Sequence, residues 1–348
     1  MFLPFFWIMG TSEWMLFDSN PPIDCFLQGL VGACAISVLG SLMRVYYFLQ
    51  TCSDSETESK QRSSSPVNPL RGNWRTALQF WSLTLVLSLV GSRVSSLIVL
   101  EFSLRAVSSW ASAGLDAHGR GLHLLLLQCQ FSLGCCFSCA LVFLHQGAPH
   151  SSLNLFLAAA ISWALASGSL SLWSHVARHY PLHSREPYCG ICITLLTSGH
   201  TILTSLQRAV VLAFAFATVA SFATVYDHFL SQTDALKFWT PLTLCYTMLV
   251  IYIQADQNRQ TGAVALWHTA VLRLGALLVL MLTVGDWSDV LHILISFLGE
   301  AACLLPSQDL LQATSREEEE EETSLRKQEH KTVHKTLEVK RKPSSDDS

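Results

Sequence analysis

The chain is dominated by long apolar runs. Eight stand out, at roughly 25–49, 77–100, 121–145, 152–174, 206–228, 238–254, 264–284 and 288–305. A hydrocarbon layer of about 30 Å needs roughly 20 residues of helix to cross it. Within lipid every backbone N–H and C=O must find a partner inside the protein, which leaves helices and closed barrels as solutions. The runs lack the polar–apolar alternation of barrel strands. They predict an all-α, polytopic transmembrane helix bundle with eight hydrophobic segments and seven or eight crossings.

Charge agrees with that reading. Charged residues make up 14% of the chain, against about 25% in globular proteins, and many of them lie after residue 315. Mean hydropathy is +0.36. The formal charge of −4 and the lack of a basic stripe with interleaved aromatics exclude a nucleic-acid partner; the expected partner is the lipid bilayer. Residues 1–24 are apolar but interrupted by Glu13, with no basic residue before the apolar part. An interfacial segment is expected there rather than a cleaved signal peptide. The bundle is expected over 25–305. A Ser-rich polar loop at 51–72 and a charged tail over 306–348 cannot bury enough apolar surface to order themselves. Tyr46, Tyr47, Trp74, Trp173, Tyr180, Tyr226, Trp239, Tyr252 and Trp287 sit near the ends of runs, as in an aromatic belt.

Orientation poses a parity problem. No Lys or Arg precedes the first run, while Arg44, Lys60, Arg62, Arg71 and Arg75 lie in or beside the first loop. The positive-inside rule puts that loop in the cytoplasm. A cytoplasmic tail would then require an odd number of crossings, whereas eight runs are visible.

Six charges lie within or beside apolar runs: Arg93, Glu101, Arg105, Arg208, Arg273 and Glu300. An arginine at mid-span costs roughly 2.5–3.5 kcal/mol on insertion scales and ordinarily faces a partner in the bundle. Arg93 falls inside the 77–100 run and is expected to be the costly one. Glu101 and Arg105 follow that run in the favourable i,i+4 order and are expected to snorkel to the headgroups as an interfacial pair. Ion pairs that fix helix packing are one use for such charges, and a substrate or proton path is another.

Other constellations carry less. His175, His179 and His183 with Cys189 and Cys192 have the residue types of a zinc site, but Pro181 interrupts the helical spacing and the ligand pairs lack the usual separation. Asp286, Asp289, His292 and Glu300 could gather for metal-assisted hydrolysis, though the two aspartates more simply cap a helix. No P-loop, GxSxG, HExxH or dinucleotide fingerprint occurs in a fitting context. No cofactor and no catalytic residue is expected, and an enzyme is the less favoured class. Cys129, Cys135, Cys136 and Cys139 lie inside one run and read as packing residues. Gly29, Ala33, Ser37 and Ser41 recur every four residues, a small-residue face that allows close helix approach. It could serve the bundle itself or a homo- or hetero-oligomer.

Several stretches resemble one family. VGSRV and VLEFSLRAVS in 90–108, QGAPH and LNL in 146–155, YCGIC at 188–192, FWTPLTLCYTMLVIYIQ at 238–254, LTVGDW at 282–287 and LGE at 298–300 are similar to the transmembrane protein 82 family, from about residue 25 to 305. The resemblance implies a multi-pass membrane protein and brings no activity, ligand or catalytic residue with it. Two function classes follow from the residues. One is a non-enzymatic scaffold or accessory membrane protein. The other is a transporter or channel-like protein, for which Arg93, Arg208, Arg273 and Glu300 should share one cavity.

Overall fold

The computed structural model describes residues 22–57, 73–113, 125–145, 151–183, 190–228, 263–284 and 287–305, with 243, 249 and 252 as isolated positions. The N-terminal segment, most of the first polar loop, the 238–254 run apart from those positions, and the tail lie outside the described residues. All described elements are helical: α1 (Pro22–Thr57), α2 (Asn73–Leu89), α3 (Ser92–Ala113), α4 (Gln130–His145), α5 (Ser151–His183), α6 (Gly190–His228), α7 (Ala263–Val284) and α8 (Trp287–Leu304). α1 continues to Thr57, past residue 51 where the polar loop was expected to begin.

Four described helical stretches are long and apolar enough to cross a membrane: Pro22–Gln50, Ser152–His179, Thr197–Ala223 and Trp287–Leu304. A fifth arises if α2 and α3 count as one broken span, and α4 and α7 carry shorter apolar stretches. The outer surface of these helices is apolar, with Leu85, Ile161, Leu165, Val211, Leu212, Val219, Val279, Leu294 and Leu298 all exposed. Six acidic or basic side chains lie buried inside among the described residues: Asp24, Glu101, Arg105, Arg273, Asp289 and Glu300. A soluble domain has the reverse arrangement, whereas apolar-out, polar-in is what lipid selects.

The 77–100 run is not one span. It breaks at Val90–Gly91, where the axis turns by 108°. The Val90 N–H closes the last turn of α2 on the Val86 carbonyl at 2.9 Å, and the Ser95 N–H opens α3 on the Gly91 carbonyl at 3.0 Å. Gly91 therefore acts as the N-cap of α3, a position where glycine is well tolerated. The imidazole of His292 packs against it, with Nδ1 only 3.0 Å from where a Cβ would stand.

Contacts between helices fix the direction of each. Asp24 meets His145 at 3.8 Å, Ser138 donates to the Gln28 carbonyl and Gly32 lies against Gly134, so α4 is antiparallel to α1. Gly29 lies against Thr84 and Ser88, which makes α2 antiparallel as well. α5 runs with α1, since Phe48 stacks edge-on against Trp173 while Ala33 and Trp163 line the same groove. α6 returns, with Gly199 against Leu49. α3 comes back along α4 through Ser96–Cys139 and Arg105–Gln128. α8 opposes α2, with Asp289 at Arg93 and the Ala302 carbonyl accepting from Gln79. The chain thus enters α1 at the Pro22 end and leaves α8 at the Gln50 end.

α4 is the central helix, touching α1, α3, α6 and α8. Its small side chains permit this. The Cys139 thiol lies 3.2 Å from Ser96 Oγ and 3.3 Å from Ser221 Oγ, and the Cys136 thiol donates to the Ala213 carbonyl. The cysteines of this run are buried and free, as expected of packing residues. Gly29, Ala33 and Ser41 are buried within the chain's own bundle, and Ser37 lines a groove shared with α2 and α5.

A Cβ on Gly29 would stand 2.7 Å from both Ser88 N and Thr84 O, which are rigid backbone atoms, whereas one on Gly40 would meet nothing within 4 Å. Gly29→Ala should lower unfolding free energy by about 1–3 kcal/mol, the usual cost of overpacking. Gly40→Ala should change it by less than about 0.5 kcal/mol. Unfolding in bicelles checks this, and equal effects would contradict the packing described.

Candidate functional site

α3, α7 and α8 each bring ionised groups to one place. Arg273 is the hub. Its Nη2 lies 2.8 Å from Glu300 Oε1, and its Nε lies 3.4 Å from Glu101 Oε2. Glu101 Oε1 also faces Arg105 Nε at 3.7 Å, one helical turn on. Arg105 Nη1 donates to Gln128 Oε1, just ahead of α4, and its guanidinium sits over the Phe102 ring at 5.1 Å from the centroid. All four charged side chains are buried, Arg273 to within 1% of full burial.

The charges balance, two carboxylates against two guanidiniums. The hydrogen bonding does not. Both Glu101 oxygens, Glu300 Oε2, Arg105 Nε and Nη2, Arg273 Nε and Nη2, and Gln128 Nε2 are buried without an aligned hydrogen-bond partner. The 2.8 Å Arg273–Glu300 contact is therefore close but off the hydrogen-bond axis. Coulomb attraction between near neighbours holds the cluster, with less than its full complement of directional bonds.

α8 explains how Glu300 arrives there. Asp289, His292, Ser296 and Glu300 follow spacings of three, four and four, which places them on one face of a helix. That face is buried, while Trp287, Leu291, Leu294 and Leu298 point outward. Ser296 satisfies itself by donating to the His292 carbonyl at 2.9 Å. Gly299 makes room for the Phe131 ring, whose Cε2 lies 2.1 Å from a Cβ position there. This close approach seats α8 on α4 next to the cluster. Thr269, one turn before Arg273 on α7, is buried as well. A line of polar side chains thus runs from Asp289 through the cluster to Thr269 and Gln128.

Two expectations change places. Arg93 was the residue expected to be costly in mid-span; it lies in the first turn of α3, 37% exposed, with Nη1 3.5 Å from Asp289 Oδ2. Glu101 and Arg105, expected at the headgroups, are in the interior. The reason is the break at Gly91: once the helix starts at Ser92, its apolar stretch extends to Ser109, and Glu101 and Arg105 fall within it. Arg273 and Glu300 meet as buried charges of α7 and α8. Arg208 is exposed on α6 and Arg93 pairs with Asp289, so Arg93, Arg208, Arg273 and Glu300 do not share one cavity as expected of a transporter; of the four, Arg273 and Glu300 meet. Gln128 had no signal in the sequence. Asp289 and Glu300 each face an arginine, and no group of three or more His, Cys, Asp or Glu side chains suited to a metal comes together among the described residues. The His175 and His179 rings lie 5.0 Å apart on α5, and residues 184–189 are outside the described residues.

An apolar-out helical bundle with buried charges defines a transmembrane helical protein. The family model for transmembrane protein 82 matches residues 23–325, and the chain belongs to that family. No solved structure matches it.

Removing one partner from a buried ion pair strands the other charge, at a cost of about 3–5 kcal/mol. Arg273→Met leaves Glu300 without its guanidinium and Glu101 with Arg105 alone, one uncompensated buried carboxylate, and should destabilise the protein by about that much. Arg93→Gln removes a partly exposed guanidinium that lies 3.5 Å from the buried Asp289, and should cost less, about 1 kcal/mol. Reversible unfolding of the purified protein in bicelles reads both, and a mild Arg273→Met effect would contradict the arrangement.

Proposed function

We propose that the chain is a non-enzymatic, multi-pass membrane protein of the transporter or channel-like class, in which the Glu101–Arg105–Arg273–Glu300 cluster holds a small ion in transit, a proton first of all. The observation that carries this reading is the convergence of four buried charges, two of them on α3, the second half of the helix pair broken at Gly91. Ionisable side chains in the membrane interior commonly mark ion paths and proton relays. Broken helices recur where transporters bind at mid-membrane. The polar face of α8, from Asp289 through His292 and Ser296 to Glu300, supplies steps toward the Pro22 end, and Thr269 and Gln128 supply them on the other side.

The chemistry is simple. A proton delivered to Glu300 cancels its attraction for Arg273 Nη2. Arg273 then leans on Glu101, which already faces Arg105. Protonation thereby changes which of α3, α7 and α8 are held together, and a ligand that favours one packing shifts the population toward it. The basic first loop and the tail leave the bundle at the same end, which supports a cytoplasmic position for both.

A scaffold or accessory role is the second reading, favoured by the exact charge balance of the cluster. A static lock needs that balance, whereas a path does not.

Proteoliposomes carrying a pH-sensitive dye separate the two. Under an imposed pH gradient the wild-type protein should dissipate it several-fold faster than empty vesicles. Glu300→Gln and Glu101→Gln should abolish the difference, and Arg93→Gln should only reduce it. Wild-type vesicles that behave as empty ones would leave the scaffold reading in place.

A further inference from the structure

A second feature lies apart from the charge cluster. α1, α2 and α5 enclose a groove of about 280 Å³, near the lower limit for small-molecule sites, roughly 300 Å³ and above. It opens outward between helices whose outer faces are apolar. Ser37, Gly40 and Ser41 form its floor, and Phe80, Trp81 and Trp163 form an aromatic wall. Those rings pack on one another, with centroids 5.5 Å apart for Phe80–Trp81 and 5.6 Å for Phe80–Trp163. Trp81 and Trp163 remain about half exposed. Arg44 lines the groove on the side toward the Gln50 end, the end at which the basic first loop leaves the bundle.

We propose that this groove binds one anionic phospholipid, with the phosphate at Arg44 and part of an acyl chain along Trp81, Trp163 and the floor at Gly40. Three observations converge on this occupant. The groove has a cation at one end only, so its two ends differ as a lipid's do. Its wall is built of Trp81 and Trp163, whose rings are half exposed on the apolar outer surface, where an acyl chain can lie along them. Its floor is open: glycines elsewhere on α1 are filled by neighbouring helices, as Gly29 and Gly32 are, yet a Cβ on Gly40 would touch nothing. Arg44 lies six residues before the end of the apolar stretch Pro22–Gln50, within snorkelling reach of headgroups, and an anionic surface attracts such a residue.

The test uses the full chain, reconstituted in mixed vesicles of unlabelled phosphatidylcholine with increasing fractions of lipid brominated on the acyl chain. Bromine quenches tryptophan at contact. The Trp81/Trp163 component is obtained by subtracting a Trp81→Phe, Trp163→Phe double variant, since the chain has ten tryptophans. Brominated phosphatidylglycerol should quench that component at a several-fold lower mole fraction than brominated phosphatidylcholine. Arg44→Gln should abolish the difference, and Arg44→Lys should keep most of it. Gly40→Phe should fill the groove and remove quenching by both lipids, with an unchanged melting temperature confirming the fold. If that variant does not fold, the Arg44 pair decides alone. Equal quenching by the two lipids, unaltered by Arg44→Gln, would mean ordinary annular lipid and overturn the site. No quenching of the component in the wild type would mean that another protein surface or a second copy covers the groove, which also overturns it.

Discussion

A guanidinium withdrawn from water needs carboxylates within reach, and Arg273 has two. Glu300 meets it from α8 at 2.8 Å and Glu101 from α3 at 3.4 Å. Because neither lipid nor protein interior can solvate these charges, the three helices cannot separate without exposing ions to a low dielectric. Apolar packing between membrane helices is weakly directional, since lipid chains compete for the same contacts. The ion pairs supply direction. They fix which face of α8 turns inward, and with it the buried line Asp289, His292, Ser296 and Glu300.

Close packing depends on a few positions where a side chain is missing. Gly29 brings α1 against the α2 backbone, Gly32 and Gly134 bring α1 against α4, and Gly299 admits the Phe131 ring beside Glu300. The thiols and hydroxyls of Cys139, Ser96 and Ser221 then join α3, α4 and α6 at 3.2–3.3 Å. Small residues and the charge cluster act together: the first let α4 sit at the centre, and the second sets how α3, α7 and α8 meet one another beside it.

How far the sequence revealed this follows from physics. The apolar runs marked most helices well, because roughly 20 residues without charge have few other uses. The break at Gly91 had only a faint mark, the glycine itself, because Val90, Gly91 and Ser92 sit inside a continuous apolar run and glycine is common in membrane helices. That one concealed turn moved everything after it. A span ending near residue 100 puts Glu101 and Arg105 at an interface; a helix starting at Ser92 puts them in the interior. Arg273 and Glu300 were visible as charges within apolar runs, since an isolated charge there stands out. Their partnership with Glu101 was not visible, since it joins segments far apart in the chain and periodicity within one helix carries no such information. Gln128 precedes α4 as an ordinary polar residue, and only the arrival of Arg105 gives it a part.

The most direct test of the central claim is a double-mutant cycle between Arg273 and Glu300. Arg273→Met, Glu300→Gln and the double variant would each be unfolded reversibly in bicelles. If the pair is buried and in contact, the double variant should be more stable than the sum of the single losses predicts, by about 2 kcal/mol or more. Losses that add within about 0.5 kcal/mol would mean that the two side chains do not meet, and the cluster would not be what holds α3, α7 and α8 together.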